Sequence, residues 1–449
     1  MTSQEPKLRC IEFFSGIGGW SRALHLSSSC YSSSVEVCCA YDVNPHANAV
    51  YEHNYPDLKV CTRSIVNVTT KEVESLEANM WVMSPPCQPF TRNNETQSRD
   101  TKDTRSDALK HLIHILQETK QPPIYIALEN VVGFEVSDCC KLLLQTLEAI
   151  GYECRQYHLT PTQFGIPNER PRYYLTASLV KKKVSTPVDA SVSNIQSKLH
   201  SSSYHERQRE LKSALDGYQN PTTTLTVSSF INASDTNDSE LVISDEILNK
   251  NSSWCFDIVH PDAYVTSCFT KSYSRYSKGT GSILLINAPT DRTDLNTNTG
   301  IEIGQDGEDQ NNCDSKRKQR VMGIEDDDDD DDGSSNGNGD DFLSSSLFFQ
   351  ELSKSPGQRS FSTDWVQRLK EMNKSLRYFS PNELLTFFTF NAPMDRTTTT
   401  EALSKLEYAT AQSFHFPEGI SQRKQYELIG NSVNVCVIAH VLIDLFKLS

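Results

Sequence analysis

The sequence lacks the apolar segments that direct a protein into or across a membrane. Its N-terminus, MTSQEPKLRC, contains no apolar core of a signal peptide. The longest apolar stretch, VNVCVIAHVLIDLF near the C-terminus, is short for a membrane span and contains His440 and Asp444. We therefore expect an intracellular protein that does not enter a membrane.

Metal-ligand spacings are missing as well. The chain has 13 cysteines, but none of them forms a CxxC pair. Without a secretory signal, these residues are expected to be reduced thiols, and no metal site is predicted. The doublets Cys38-Cys39 and Cys139-Cys140 are typical of small buried residues in a strand and a helix.

An overall basic charge is also absent, since the formal net charge is −15. Residues 301–341 contain fifteen acidic and four basic side chains, so this tract carries −11 and the remaining 408 residues carry −4. The acidity of one tract therefore does not exclude a nucleic-acid partner for the folded part. Beside the acidic run, KRKQR (316–320) resembles a nuclear-localisation patch, and a charged linker is an equal alternative.

The first 180 residues alternate strand-like and helix-like segments, which is the pattern of a parallel α/β sheet. Predicted strands are LRCIEFF (8–14), VEVCCAYD (35–42), MWVMS (80–84), YIALEN (125–130) and RYYLTAS (172–178). We expect a Rossmann-like α/β sheet in a catalytic domain of residues 1–185 and 371–449. A second region, 186–370, would be inserted into this domain, with a disordered acidic tract at about 287–345.

The stretch FFSGIGG (13–19) lies between the first predicted strand and the first predicted helix. Glycines at such a turn allow the backbone to approach a ligand at a helix N-terminus, although a tight turn without a ligand is the alternative. Asp42, at the end of the second strand, is placed to bind ribose hydroxyls. Because the pyrophosphate fingerprint GxGxxG is missing, a nucleoside cofactor such as S-adenosylmethionine (SAM) fits better than NAD.

The stretch MSPPCQPFTR (83–92) places a cysteine where the fourth strand ends. Pro85 and Pro86 restrict the backbone before Cys87, so the thiol is held in a preset geometry. A proline-rich turn with an incidental thiol is the alternative. A thiolate that adds to C6 of cytosine makes C5 nucleophilic enough to take a methyl group from SAM.

Two further segments offer partners for such a reaction. Glu129 ends the fifth strand, where its carboxyl group could bind ring N3 and the exocyclic amine of cytosine. Arg170 and Arg172, in NERPRYY (168–174), could hold the pyrimidine O2 or a phosphate. An ion-paired glutamate and two surface arginines are the alternatives.

Five segments occur in the order of the cytosine-C5 methyltransferase motifs, namely FSGIGG, SPPCQPFTR, ENVVGFE, GIPNERPRYY and IGNSVNV. The segment CFTKSYSRYSKGTGS (268–282) resembles the Cys-Phe-Thr signature of the eukaryotic tRNA-aspartate cytosine-5 methyltransferases, which act on cytosine 38 of the anticodon loop. The resemblance implies a SAM-dependent methyltransferase sheet, with a small target-recognition domain inserted at 186–370. It implies that Cys87 is the nucleophile, that Glu129 stabilises N3, and that Arg170 and Arg172 orient the base and lower the thiol pKa. It also implies that SAM is surrounded by Phe14, Ser15, Gly16, Gly18, Gly19, Asp42, Val43, Ser64, Ile65, Ser84, Asn431 and Ser432.

The partner that the resemblance implies is tRNA, with weak activity on DNA left open. Residues expected to contact nucleic acid are Arg92, Lys271, Tyr273, Arg275 and Lys278, a basic and aromatic mixture suited to phosphates and unstacked bases. The chain departs from the family in the loop NNETQSRDTKDTRSD, in the insertion APMDRTTTTEALSKLEYATAQ, and in 186–253, which has no counterpart. DNA methylation, a non-catalytic RNA-binding role and methylation of an exocyclic amine are the rival functions. A monomer in cytoplasm and nucleus is expected.

Overall fold

The computed structural model describes most of the sheet-forming sequence and parts of the insertion. The described residues are 7–31, 34–86, 106–180, 225–235, 238–250, 253, 255–287, 365–371, 374–394, 399–408 and 411–447. The predicted acidic tract, the KRKQR patch and most of 186–253 lie outside them.

A seven-stranded sheet forms the larger layer of the protein. Its strands are β1 (Leu8–Phe13), β2 (Val35–Asp42), β3 (Val60–Thr62), β4 (Met80–Met83), β5 (Tyr125–Val131), β6 (Tyr152–Leu159) and β7 (Arg172–Leu179). The strand order is β3-β2-β1-β4-β5-β7-β6, and β7 is antiparallel to both of its neighbours. The order reverses between β1 and β4, and ligands bind α/β sheets beyond the carboxyl ends of strands at such a switch point.

The described residues form eleven α-helices. They are α1 (Gly19–Leu26), α2 (Pro45–Asn54), α3 (Thr70–Ser75), α4 (Asp107–Glu118), α5 (Asp138–Ile150), α6 (Asp245–Leu248), α7 (Trp365–Glu371), α8 (Pro381–Phe387), α9 (Glu401–Ser404), α10 (Gln422–Gly430) and α11 (Val435–Phe446). Their starts follow local sequence: Asn44 and Ser137 accept hydrogen bonds from backbone N–H groups of α2 and α5. Such caps satisfy donors that a helix leaves unpaired at its N-terminus.

Both faces of the large sheet are buried. Along β4, Met80 and Val82 point into one apolar cluster, whereas Trp81 and Met83 point into the other. This alternation within a continuous apolar run is typical of a sheet covered by helices on both faces. The predicted α/β fold class is confirmed, and the five predicted strands match β1, β2, β4, β5 and β7.

A smaller sheet contains β8 (Asp257–Val259), β9 (Ser282–Asn287) and β10 (Lys374–Arg377), in the order β10-β9-β8. It is joined to α8 by Arg377, whose guanidinium makes two hydrogen bonds of 2.8 and 2.7 Å to the carboxylate of Glu383. Both side chains are fully buried. The predicted boundary at residue 371 stays a prediction, and β10, which follows it, pairs with β9.

The C-terminal helix α11 returns to the large sheet, where it packs on α1 and β7. The segment Gln422–Phe446 is long and apolar enough to cross a membrane by composition. Most of it, however, is buried within the protein. We therefore interpret it as a core element that carries the last predicted motif back to α1, the helix that follows the first strand.

Candidate active site

The turn after β1 contains several residues with positive φ, a conformation that glycine adopts readily. Gly16 and Gly18 have φ of 53° and 90°, and Phe14 between strand and turn also has positive φ, at 56°. A Cβ at Gly19 would overlap the side chain of Val433. The turn therefore needs its glycines, and one of them makes room for the C-terminal IGNSVNV segment.

Asp42 fixes this turn from the end of the neighbouring strand. Its Oδ2 accepts a hydrogen bond of 2.9 Å from the N–H of Gly16, and its Oδ1 accepts one of 2.8 Å from the N–H of Asn44. Burial raises the pKa of Asp42, although these backbone donors oppose the shift. Val43 is exposed beside it, and Ser64 and Ile65 follow β3 at the same edge of the sheet.

These residues fit the cofactor that the sequence predicts. The hydroxyl of Ser15 is buried and has no hydrogen-bond partner among the described residues, so a polar ligand atom would satisfy it. A Cβ built on Gly16 meets no atom within 4 Å, which shows open space over the turn. Ser15, Asp42 and Val43 would hold a nucleoside cofactor along this edge, with Asp42 as the predicted partner of the ribose hydroxyls.

Ser84 connects this cofactor turn to the predicted catalytic carboxyl group. Its hydroxyl accepts a hydrogen bond of 2.9 Å from the indole of Trp20 in α1, and it is one of the groups that oppose the rise in the pKa of Glu129. Sequence analysis predicted Ser84 only as a cofactor contact. The structure places it between the two parts of the site.

Glu129 lies on β5, beside β4, and is only 8% exposed. Its Oε1 is 3.3 Å from Nε of Arg172. Burial raises the pKa of Glu129, and Arg172, Arg170 and Ser84 only partly counteract this. A carboxyl group with a raised pKa retains its proton at higher pH, so it is suited to donate a hydrogen bond to a ring nitrogen.

Arg170 joins three remote segments rather than pointing into open space. Its Nη1 donates to the carbonyl of Phe269 at 2.9 Å, and its Nη2 donates to the carbonyls of Gly430 and Ser432 at 3.1 and 2.6 Å. The residue is 3% exposed, and its guanidinium lies 4.7 Å from the ring centroid of Phe388. These contacts favour a positioning role for Arg170, while its predicted contact with the base stays a prediction.

The thiol of Cys268 lies in this cluster, and Cys268 was not among the predicted site residues. Nη1 of Arg170 donates to Sγ of Cys268 at 3.4 Å. Burial raises the pKa of Cys268, but the neighbouring Arg170 and Arg172 outweigh it and hold the pKa below its ordinary value. The arginine pair therefore forms an environment that stabilises a thiolate.

Asn130 is another residue that sequence analysis missed. Its side-chain Nδ2 donates a hydrogen bond of 3.1 Å to the carbonyl of Pro85, and both residues are buried. Asn130 thus fixes the proline frame that precedes Cys87. Its position next to Glu129 in ENV was the signal that could have found it.

The predicted nucleophile Cys87 and the predicted contact Arg92 lie outside the described residues. Asn431 is exposed at the end of α10, and Ser432 contributes its backbone carbonyl to Arg170. The glycine before them is tightly packed, because a Cβ at Gly430 would overlap the backbone of Thr270 and Lys271. The Cys-Phe-Thr segment and the IGNSVNV turn are therefore in direct contact.

One predicted nucleic-acid contact is wrong. Tyr273 is 1% exposed, and its hydroxyl donates to the carbonyl of Ser282 at 2.8 Å and accepts from the N–H of Phe379 at 3.0 Å. It belongs to the core, where its ring packs against the rings of Phe269 and Tyr426. Lys271, Arg275 and Lys278, in contrast, are exposed as the prediction requires.

The profile of the family described as C-5 cytosine-specific DNA methylase matches residues 8–447. A human protein named tRNA (cytosine(38)-C(5))-methyltransferase is 29% identical over 99% of this chain and 100% of its own length. A Dictyostelium discoideum protein named DNA (cytosine-5)-methyltransferase is 32% identical over 66% of this chain and 80% of its own. The crystal structure of a Spodoptera frugiperda DNMT2 mutant, 25% identical, covers 98% of this chain and 100% of its own with a TM-score of 0.60.

Proposed function

This chain belongs to the C-5 cytosine-specific DNA methylase family, and we propose that it transfers a methyl group from SAM to C5 of a cytosine in tRNA. The family predicted from the order of five motifs is thereby confirmed. The tRNA substrate is supported by the human relative, which is named for cytosine 38 and matches the chain over nearly its whole length. By the same resemblance, the proposed target is cytosine 38 in the anticodon loop of tRNA-Asp.

The single structural observation that carries the proposal is the placement of Glu129. Its buried carboxyl group lies at the carboxyl edge of the sheet, with Oε1 3.3 Å from Nε of Arg172. The next residue, Asn130, holds the carbonyl of Pro85, two residues before Cys87. Base recognition and the proposed nucleophile are therefore linked through adjacent residues of β5.

In the proposed reaction, the Cys87 thiolate forms a bond to C6 of the cytosine, and the electrons of the C5–C6 double bond become available at C5. Glu129 holds a proton at N3, which stabilises the charge that develops on the ring. Bound SAM supplies an electrophilic methyl group. Loss of the C5 proton and departure of the Cys87 thiolate then restore the double bond.

A base must leave its stack before a thiolate can reach C6. An unpaired anticodon loop makes this step cheaper than a duplex does. The relative named as a DNA methyltransferase favours duplex DNA as the second candidate substrate. The proposed distribution between cytoplasm and nucleus depends only on KRKQR (316–320).

A transfer assay tests the proposed function. The wild type, Cys87→Ala and the matched control Cys30→Ala, which removes an exposed cysteine, are incubated with methyl-labelled SAM and either total tRNA or duplex DNA. We expect label in tRNA for the wild type and control and no label for Cys87→Ala, with bisulfite sequencing locating the methyl group at cytosine 38. Label mainly in DNA, or label undiminished in Cys87→Ala, would contradict the proposal.

A further inference from the structure

Two exposed tyrosines flank the segment that binds Arg170. Tyr264 is 61% exposed and Tyr276 is 60% exposed, whereas every other described Phe, Trp and Tyr side chain is buried or half-buried. Cys268 and Phe269, which contact Arg170, lie between them in the chain. The described aromatic surface of the protein is thus concentrated beside the candidate active site.

The Tyr264 loop is held against the residues that precede Arg170. The N–H of Thr266 donates to the carbonyl of Pro167, and the N–H of Glu169 donates to the carbonyl of Thr266, both at 2.9 Å. Nδ2 of Asn168 also donates to Oγ1 of Thr266, at 3.1 Å. Tyr264 therefore projects from a fixed backbone two residues away from this contact.

The Tyr276 loop is fixed on the other side of the same segment. The N–H of Thr270 donates to the carbonyl of Thr280 at 2.9 Å, and Oγ1 of Thr280 donates to the carbonyl of Tyr276 at 2.7 Å. The guanidinium of Arg275 lies 5.6 Å from the ring centroid of Tyr276. A cation at this distance interacts favourably with an aromatic ring and is also available to a phosphate.

The charge around these rings indicates the class of partner. Lys271, Arg275 and Lys278 are exposed in the segment that carries Tyr276. Exposed aromatic rings combined with cations are typical of surfaces that bind single-stranded nucleic acid, where rings stack on bases and cations bind the backbone. The combination fits an unpaired RNA loop better than an apolar protein surface.

We propose that Tyr264, extended by the 47% exposed Val265, stacks against an unpaired nucleotide next to the target cytosine, and that Tyr276 stacks against a second one. These platforms hold the neighbouring bases while the target cytosine leaves the stack. The inference rests on the proposed tRNA methylation and assigns specificity residues to it. It replaces the predicted contact at Tyr273, which is buried.

The test compares Tyr264→Ala, Tyr264→Phe and Tyr276→Ala in the full chain, with Val180→Ala as a matched control. Val180 is also exposed, but it follows the far end of β7, on the order of 25 Å from Arg172. Loss of one stacked base predicts that Tyr264→Ala raises KM for tRNA by roughly 5- to 150-fold. Tyr264→Phe, which retains the ring, and Val180→Ala should stay within about twofold, and the Kd for SAM and the melting temperature should not change.

A spectroscopic measurement separates stacking from simple contact. 2-Aminopurine is placed on either side of the target cytosine in an anticodon stem-loop, and we expect its fluorescence to be quenched on binding to the wild type and Tyr264→Phe but not to Tyr264→Ala. An unchanged KM for Tyr264→Ala, or equal quenching in all variants, would overturn the inference alone if the wild type methylates tRNA. If the wild type methylates only DNA, the proposed function itself fails.

Discussion

The cofactor half and the base half of the candidate site are built in different ways. The cofactor half, around Gly16, Asp42 and Ser84, uses strand ends that are adjacent in the sheet and come from the first 84 residues. The base half brings Glu129 and Arg170 together with segments about 100 and 260 residues further along the chain. Local motifs therefore define the first half, whereas long-range packing defines the second.

The difference matters because the base half depends on a buried cation. A buried guanidinium is stable only if acceptors surround it, and Arg170 finds them in the carbonyls of Phe269, Gly430 and Ser432. Those carbonyls belong to the Cys-Phe-Thr segment and the IGNSVNV turn. Folding of the insertion against the catalytic domain is thus a condition for forming the base half, and the cofactor half has no comparable requirement.

Among substitutions of the described residues, the largest effect on turnover is expected from Glu129→Gln. Glutamine keeps the shape of the side chain but cannot retain or release the carboxyl proton, so kcat should fall by roughly 10²- to 10⁴-fold while the Kd for SAM stays unchanged. Single-turnover methylation and calorimetry measure the two quantities. Glu148→Gln, an exposed position on α5, is the matched control, and a kcat for Glu129→Gln above a tenth of wild type would argue against the assignment.

Asp42→Asn tests the cofactor half of the site. It replaces one carboxylate oxygen that accepts a backbone N–H from Gly16 or Asn44, and hydrogen bonds to charged groups contribute about 1.5–3 kcal/mol. We expect the Kd for SAM to rise by roughly tenfold or more, measured by calorimetry without RNA. An unchanged Kd would show that Asp42 does not organise the cofactor turn.

Gly430→Ala tests the contact that joins the halves. The added Cβ would overlap the backbone of Thr270 and Lys271, and backbone cannot move aside as a flexible side chain does. We expect a loss of about 1–3 kcal/mol in the free energy of unfolding and a several-fold loss of turnover. Denaturant titration measures the first, and stability within about 0.5 kcal/mol of wild type would refute the close packing.

Glu12→Gln should have the smallest effect on turnover, since Glu12 is fully buried within β1 and is hydrogen-bonded to Ser21 and Tyr51, outside the candidate site. Burial raises the pKa of Glu12 to about 7, although these hydroxyls oppose the shift. The folded state then binds the proton more tightly than the unfolded state, so this residue makes the protein less stable as pH rises from about 4.5 to about 7.

In Glu12→Gln, the loss of stability that this carboxyl group causes as pH rises should disappear. Urea titrations at pH 5 and pH 8 should show a smaller difference in the free energy of unfolding than in the wild type, by about 1 kcal/mol or more. An identical pH dependence in both proteins would mean that Glu12 is ionised over this whole range.

The residues of the cofactor half could be grouped from the sequence more readily than those of the base half, and their contacts with the cofactor stay predictions. Glycines after β1, an acid after β2 and a serine after β4 each carry a local signal, because parallel strands bring their carboxyl ends to one edge. The strands β3 and β6 were missed, since VCT is very short and YECRQYHL contains charged and polar residues.

The base half could not be predicted from the spacing of motifs, because its contacts join residues that are far apart in the sequence. From its neighbours in the sequence, Arg170 was predicted to contact the base. The carbonyl groups that bind its guanidinium lie about 100 and 260 residues further along the chain, so the local sequence gives no sign of them. Tyr273 looked exposed because it stands among basic residues, yet it packs against Phe379 and Tyr426. The exposed Tyr264 is surrounded by no comparable charge in the sequence, so only the structure shows that its loop is held against the residues that precede Arg170.

The most direct test of the account is whether Cys87 becomes covalently attached to the target base. An anticodon stem-loop with 5-fluorocytosine at the target position is incubated with the protein and SAM, because fluorine at C5 cannot leave as a proton and the adduct persists. If the proposed covalent mechanism operates, the RNA will be linked to Cys87 in a complex that survives denaturation. This complex should be absent with Cys87→Ala. No complex with the wild type, or a link to another thiol such as Cys268, would contradict it.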